Sequence, residues 1–146
     1  MSTIPFLRDG VEYKTGVVAL KLSAPEGDIF IASGAVAKGD WVTFDTAKLG
    51  AENVLYVKTA VATALGAVAC GVAVSAALDG EKVQVVTSGY VAGAKVTGST
   101  AVGSPLSVDA TDGTGTLADA ANAIVCGQSL DAESGGFAAC WVFKRF

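Results

Sequence analysis

The side chains able to do chemistry are few and lie close to turns. Two carboxylate pairs, Asp40 with Asp45 and Asp109 with Asp112, have the short spacing from which acid and base partners are built, and Cys70, Cys126 and Cys140 offer thiols. The chain has no histidine. That removes the usual base of serine and cysteine nucleophiles, the commonest proton shuttle and the commonest metal ligand. Both carboxylate pairs stand beside Gly or Thr in turn-forming stretches, GDWVTFDT and VDATDGTG, and are read as turn and strand-end residues rather than a glycosidase pair. DATDGTG, Asp109–Gly115, lacks the alternating Asp/Asn ligands and the distal Glu of a calcium loop. Lys95 reads as a solvated edge charge rather than an amine nucleophile. GTG and GYVAG do not open helices, so no phosphate cradle is expected. The cysteines have no metal-ligand spacing and are expected as small buried apolar side chains. Cys126 and Cys140 flank the turn DAESGG and could face each other across a hairpin, although a disulfide there would be unusual in a reducing compartment. No catalytic residue, metal or cofactor is expected, and the chain is not read as an enzyme.

The elements that carry these residues follow from composition and periodicity. At 146 residues the chain has the length of one domain, and half of it is apolar, dominated by Ala and Val with 18 Gly. The net charge of −4 and the lack of any basic cluster exclude sequence-independent nucleic-acid binding. Between Val96 and Phe143 there are acids (Asp109, Asp112, Asp119, Asp131, Glu133) and no base, which gives the second half an acidic surface. MSTIPFLRDG lacks the pattern of a secretory signal, so synthesis in a cytoplasm is expected. The uncharged run TAVATALGAVACGVAVSAAL, Thr59–Leu78, is long enough for a membrane span. Its four Val and two Leu would supply only about −2 to −4 kcal/mol of insertion energy. From Val68 to Ser75 larger and smaller side chains alternate, a strand period, and Asp79-Gly80 is a two-residue hairpin signal before Val83 and Val85. The run is therefore read as half of a hairpin, and no membrane association is expected.

The same grammar occurs twice. GAVAKGDWVTFDTA aligns with STAVGSPLSVDATD, setting Gly39 on Gly103 and Asp45 on Asp109, and VACGVAVSAALDGEKVQVV aligns with IVCGQSLDAESGGFAACWV, setting Cys70-Gly71 on Cys126-Gly127. Each unit reads as a Gly-led strand, a polar turn, a short strand and a hairpin. The second linker, TDGTGTLADAANA, is the weakest strand candidate, and Leu117–Ala123 could form a helical turn. Two such units predict an all-β fold, a β-sandwich or small β-barrel, with units about 34–96 and 97–146 in a single β domain, 33–146. Trp41, Phe44, Phe137 and Trp141 are expected in the core or as barrel-end plugs. Residues 1–32 fall outside the repeat and are expected as an N-terminal arm, with short strands at Thr15–Leu22 and Asp28–Ala32.

A family resemblance rests on these same motifs. SGAVAKGDWVTFD, ALGAVACGVAVSAALDGEKVQVVTSG, AVGSPLSVDATDG and the final IVCGQSLDAESGG hairpin, in that order after Asp9-Gly10, resemble the small capsid decoration proteins of tailed bacteriophages, also called cement or head-fibre proteins. The likeness spans about residues 33–144. It implies a non-enzymatic virion protein on the outer capsid surface. Such a protein would bind the major capsid protein, bridge neighbouring capsid subunits against internal genome pressure, and often assemble as a homotrimer. With no small-molecule substrate, attachment would rest on many weak contacts repeated over the shell. The arm residues Ile4, Pro5, Phe6, Leu7 and Arg8 are the candidates for capsid contact, because an apolar terminal segment is costly to leave in water; packing back on their own domain is the other reading. Tyr90, Phe143, Lys144, Arg145 and Phe146 are the candidates for a subunit interface, the last four alternatively closing the final strand. A second class stays open, a carbohydrate-binding or adhesion module in which Trp41, Tyr90 or Trp141 stacks on sugar rings.

Overall fold

A computed structural model describes residues 25–61, 69–109, 112–118 and 124–144. Among them are nine strands and one short 3-10 turn, Gly50–Val54: β1 Glu26–Ala32, β2 Trp41–Phe44, β3 Tyr56–Thr59, β4 Gly71–Ala73, β5 Lys82–Lys95, β6 Pro105–Val108, β7 Gly115–Leu117, β8 Gly127–Ser129 and β9 Phe137–Val142. The fold is all-β, and its first five strands close into a barrel. Their order is β1-β3-β2-β4-β5, and β5 returns to pair with β1. β1 runs parallel to β3, and the other pairings in this circuit are antiparallel. Closing the circuit gives each of its five strands a paired neighbour on both sides.

The remaining strands grow from the other end of β5. β9 pairs with β5 from Gly89 to Lys95, then β8, β6 and β7 follow in order, all antiparallel. A single parallel bridge, Val96 to Gly115, brings β7 back to the end of β5. The long strand β5 is thus shared by two five-strand circuits. Their backbone hydrogen bonds correspond. Cys70 N–H donates to Val42 O as Cys126 N–H does to Leu106 O, and Ala73 N–H donates to Asp40 O as Ser129 N–H does to Ser104 O, all at 2.8 Å. Ala77 N–H to Val36 O is matched by Glu133 N–H to Thr100 O, both at 2.9 Å.

Period-two alternation along the shared strands feeds two cores. In β2, Val42 points into the first circuit and Trp41 into the second; in β5, Val83 and Val85 serve the first, Val86 and Val91 the second. β4 lies between the cores, so Val72 and its small neighbours Cys70, Gly71 and Ala73 are all buried. This departs from the expected large-in, small-out alternation. A strand covered on both faces has no solvent side to mark. Among the described residues no helix is long and apolar enough to cross a membrane. The Asp79-Gly80 turn forms between β4 and β5, with Gly80 at φ +84°, a conformation that excludes most other residues.

Trp41 joins the two halves. Its side chain is fully buried among Leu106, Cys126, Cys140 and Val142 of the second circuit. The indole Nε1–H donates to Lys95 O at 3.0 Å, satisfying the ring's one polar group. Two glycines make room for it: a Cβ on Gly115 would lie 2.8 Å from Trp41 Nε1, and one on Gly127 would lie 2.8 Å from Trp41 Cη2.

Other expectations meet particular outcomes. The strand expected at Asp28–Ala32 is β1, and it is a barrel stave paired on both edges; Thr15–Leu22 lies outside the described residues. Phe44 packs against the first core, whereas Phe137 is 41% exposed and its ring covers Gly39. Leu117 ends strand β7, and residues 119–123 lie outside the described region. Cys126 and Cys140 do not face each other. The β8–β9 register sets Cys140 opposite Ser129 and Gly127 opposite Val142, so the two cysteines are out of register and no disulfide joins them.

Candidate functional site

The two carboxylates that flank β2 do not form a pair. Asp40 and Asp45 bracket the strand, roughly 16 Å apart for five residues of extended chain, beyond the range at which two carboxylates share a glycosidic bond. Each organises its own end of the strand. Asp45 accepts from Ser33 Oγ at 2.7 Å and from Ala47 N–H at 3.1 Å, and Lys58 Nζ stands 3.4 Å away. The Ser33 hydroxyl first, then the Ala47 amide, with a smaller contribution from Lys58, hold its carboxyl below the ordinary value of 3.8 despite some desolvation.

Asp40 occupies the more enclosed end. It is 4% exposed; its Oδ2 accepts from Ala37 N–H at 2.9 Å and from Thr59 Oγ1 at 3.2 Å, while Lys95 Nζ lies 2.5 Å from Oδ1. The ammonium of Lys95 is one-third exposed, so it spans from the buried carboxylate to solvent. The loop before β7 closes over this pair. Gly113 N–H donates to Ala60 O and Trp41 N–H donates to Gly113 O, at 2.8 and 2.9 Å. A Cβ on Gly113, which has φ +68°, would lie 2.8 Å from Asp40 Oδ1, so only glycine permits this approach. The result is a cleft of about 480 Å³ whose walls include Val36, Asp40, Thr59, Leu78, Glu81, Lys95 and Asp112.

The second circuit has a cleft at the matching place. It is smaller, about 290 Å³, and among the described residues it is lined by Thr97, Gly98, Ser99, Thr100, Ala101, Ser104, Thr116 and Leu117, none of them charged. Ser104 stands where the first circuit has Asp40. Ser104 N–H still donates to Ala101 O, as Asp40 N–H does to Ala37 O. Hydroxyls hold this turn: Thr100 Oγ1 donates to Thr97 O at 2.8 Å and Thr97 Oγ1 to Thr116 Oγ1 at 3.2 Å.

The thiols lie in the two cores rather than in either cleft. Burial pushes the Cys70 thiol up to about 12, and burial with the nearby Asp131 charge does the same to Cys140, which leaves both unreactive as thiolates at neutral pH. Among the described residues no group of three His, Cys, Asp or Glu side chains could hold a metal ion.

The residues expected to make contacts are dispersed. Tyr90 is 44% exposed on β5 and is the register partner of Trp141 on β9. Gln128 of β8 and Pro105 of β6 continue the same cross-strand row. Phe143 follows β9 and is partly exposed, and Lys144 pairs with Glu26 at 3.0 Å, tying the end of the second circuit to the start of β1. Ile4, Pro5, Phe6, Leu7, Arg8, Arg145 and Phe146 lie outside the described residues. Trp41, offered as a sugar platform, is buried and has no face for a ring. The Asp40–Lys95 pair had no local signal, because 54 positions separate Trp41 from the same lysine's carbonyl and the ion pair spans a similar gap. The usable hint was internal: aligning the two units replaces Asp40 by Ser104.

No protein-family model matches the chain, and no curated protein matches it in sequence. A solved structure does match in three dimensions: the head fiber gp8.5 N base of bacteriophage phi29, with a TM-score of 0.55 at 18% sequence identity, over 82% of this chain and 95% of that one. The fold is similar to that of a phage head-fibre base. Coverage of nearly the whole head-fibre base means that the likeness takes in both circuits rather than one barrel.

Proposed function

We propose that this chain is a structural protein of a bacteriophage virion that binds the outer surface of the capsid and bridges neighbouring subunits of the major capsid protein. The observation that carries this reading is the fold shared with a head-fibre base over most of both chains. The chemistry of the described residues agrees with it. The thiols are buried, Asp40 and Asp45 are committed to turns and ion pairs, and no constellation of the described residues suits catalysis. Corresponding hydrogen bonds in the two circuits support an origin by tandem duplication of one strand-hairpin unit. In this reading the arm residues Ile4–Arg8 reach the shell, and Tyr90 with the segment Phe143–Phe146 contributes to a homotrimer interface. Modest contacts repeated over a shell would then sum to firm attachment.

Shell binding is tested by co-sedimenting the full chain, and a form lacking residues 2–12, with capsids stripped of surface proteins. Saturable binding by the full chain and weakened binding by the shortened, still folded form are expected. Failure of the full chain to sediment would reject the function, and equal binding by both forms would reject the arm. Light scattering on the free protein checks the trimer. A second reading, adhesion to a glycan, draws support from the row Tyr90, Trp141 and Gln128; glycan-array binding that is lost in Tyr90→Ala would favour it.

A further inference from the structure

We infer that the cleft between the two circuits receives the side chain of a lysine or arginine projecting from a partner protein's surface. Three carboxylates line it, Asp40, Glu81 and Asp112, against one ammonium, Lys95, and its walls continue over Val36 and Leu78. An acidic rim over an apolar wall suits a group with an alkyl stem and a cationic head. Small anions and neutral solutes lack that match.

Asp40 is the anchor of the site. Its carboxylate is nine-tenths buried, and among the described residues its Oδ1 is met by a single cation, the Lys95 ammonium at 2.5 Å. Lys95 is partly exposed on a flexible stem, so it has room to shift as a second cation enters. Glu81 and Asp112 are both exposed at the rim. Asp112 comes from the loop of the second circuit, so the cleft is complete only with both circuits docked.

The second circuit provides an internal control. The same turn is built there with Ser104, its backbone bond to Ala101 is kept, and among the described residues the matching cleft has no charged side chain in its lining. Closing this turn therefore does not require a carboxylate. A buried charge is costly to hold, and the turn itself does not demand one, so the Asp40–Lys95 pair makes the cleft of the first circuit the charged one. That the partner is a capsid protein rests on the function proposed above; the chemistry of the cleft does not.

The test titrates the isotopically labelled full chain with N-acetyl-lysine methylamide, and with N-acetyl-norleucine methylamide as the uncharged probe, following amide shifts of Ala37, Thr59 and Ala77 by NMR. Saturable shifts with the lysine probe are expected, weakened about fivefold in the double variant Glu81→Gln, Asp112→Asn, two exposed charges each of modest worth. The norleucine probe should bind at least threefold more weakly. Equal affinity for the two probes, no saturation, undiminished binding by the double variant, or the same shifts produced by magnesium chloride alone would overturn the inference. Lysine-probe binding without capsid binding would keep the cleft and reject its partner. Capsid binding without lysine-probe binding would do the reverse.

Discussion

The two circuits share a strand and a hydrogen-bond pattern but are filled and closed differently. The first is closed by β1, which pairs with β5 from Glu26 to Ile31 and with β3 at Ile31 and Ala32, and its core is its own: Phe30, Val42, Val57, Val83 and Val85. The second is closed by one bridge, Val96 to Gly115, and its largest core side chain, Trp41, belongs to a strand of the first. Where the first places a buried Asp40 against Lys95, the second places Ser104 among threonines. The comparison teaches that turns and backbone bonds define the frame, while the filling is free to differ. It also shows a dependence in one direction, in that the second circuit takes its largest core side chain from a strand of the first.

Removing the shared tryptophan should break this arrangement most severely. Trp41→Ala is expected to cost about 3–5 kcal/mol, measured by urea unfolding. Hydrogen exchange should show loss of protection concentrated in β6, β7 and β8, with β1 and β3 better preserved; uniform loss would contradict the one-way dependence. Gly127→Ala attacks the same contact from the other side. Its methyl would press on Trp41 Cη2 and on Trp141 O, and a destabilisation of about 1–3 kcal/mol is expected.

Asp40 and Ser104 sharpen the contrast. Asp40→Ala strands the Ala37 amide, the Thr59 hydroxyl and the Lys95 ammonium, and should cost about 1–3 kcal/mol, whereas Ser104→Ala should stay within about 0.5 kcal/mol. Comparable losses at both positions in thermal unfolding would remove the distinction between the clefts. Asp45 gives a smaller, pH-dependent effect. Its carboxyl is lower in the folded state than the ordinary 3.8, so its stabilisation is complete above about pH 5 and fades as the pH falls through 3.8 towards the folded value. Asp45→Asn should therefore lower stability at pH 7 and flatten the acid limb of the stability curve; an unchanged limb would show that Asp45 is not the titrating group. Lys58→Ala removes only a half-exposed partner of Asp45, and a change within about 0.5 kcal/mol is expected.

Much of the frame was legible in the sequence because it is carried by local signals. Asp79-Gly80 and the Gly39 and Gly103 turns mark strand ends, and the alternation around Val83 and Val85 marks β5. The alignment of Cys70 with Cys126 picks out positions that make the same backbone bond. What was not legible depends on distant partners. Alternation assigns Trp41 and Val42 to opposite faces but cannot say that each face meets a separate core. β1 lies outside the repeat and begins with the charged stretch EGDI, so the sequence assigns it to an arm, whereas the structure buries its end at Phe30 and Ala32. β7 is three residues long, too short for any period to register. The Asp40–Lys95 pair and the contribution of Asp112 arise only when the circuits dock.

The function proposed for the molecule is tested most directly by cryo-electron microscopy of stripped capsids incubated with the full chain. The account predicts density on the outer surface, at repeated positions between capsid subunits, into which both circuits fit as one body. Bare shells at saturating protein, or density confined to the interior, would contradict it.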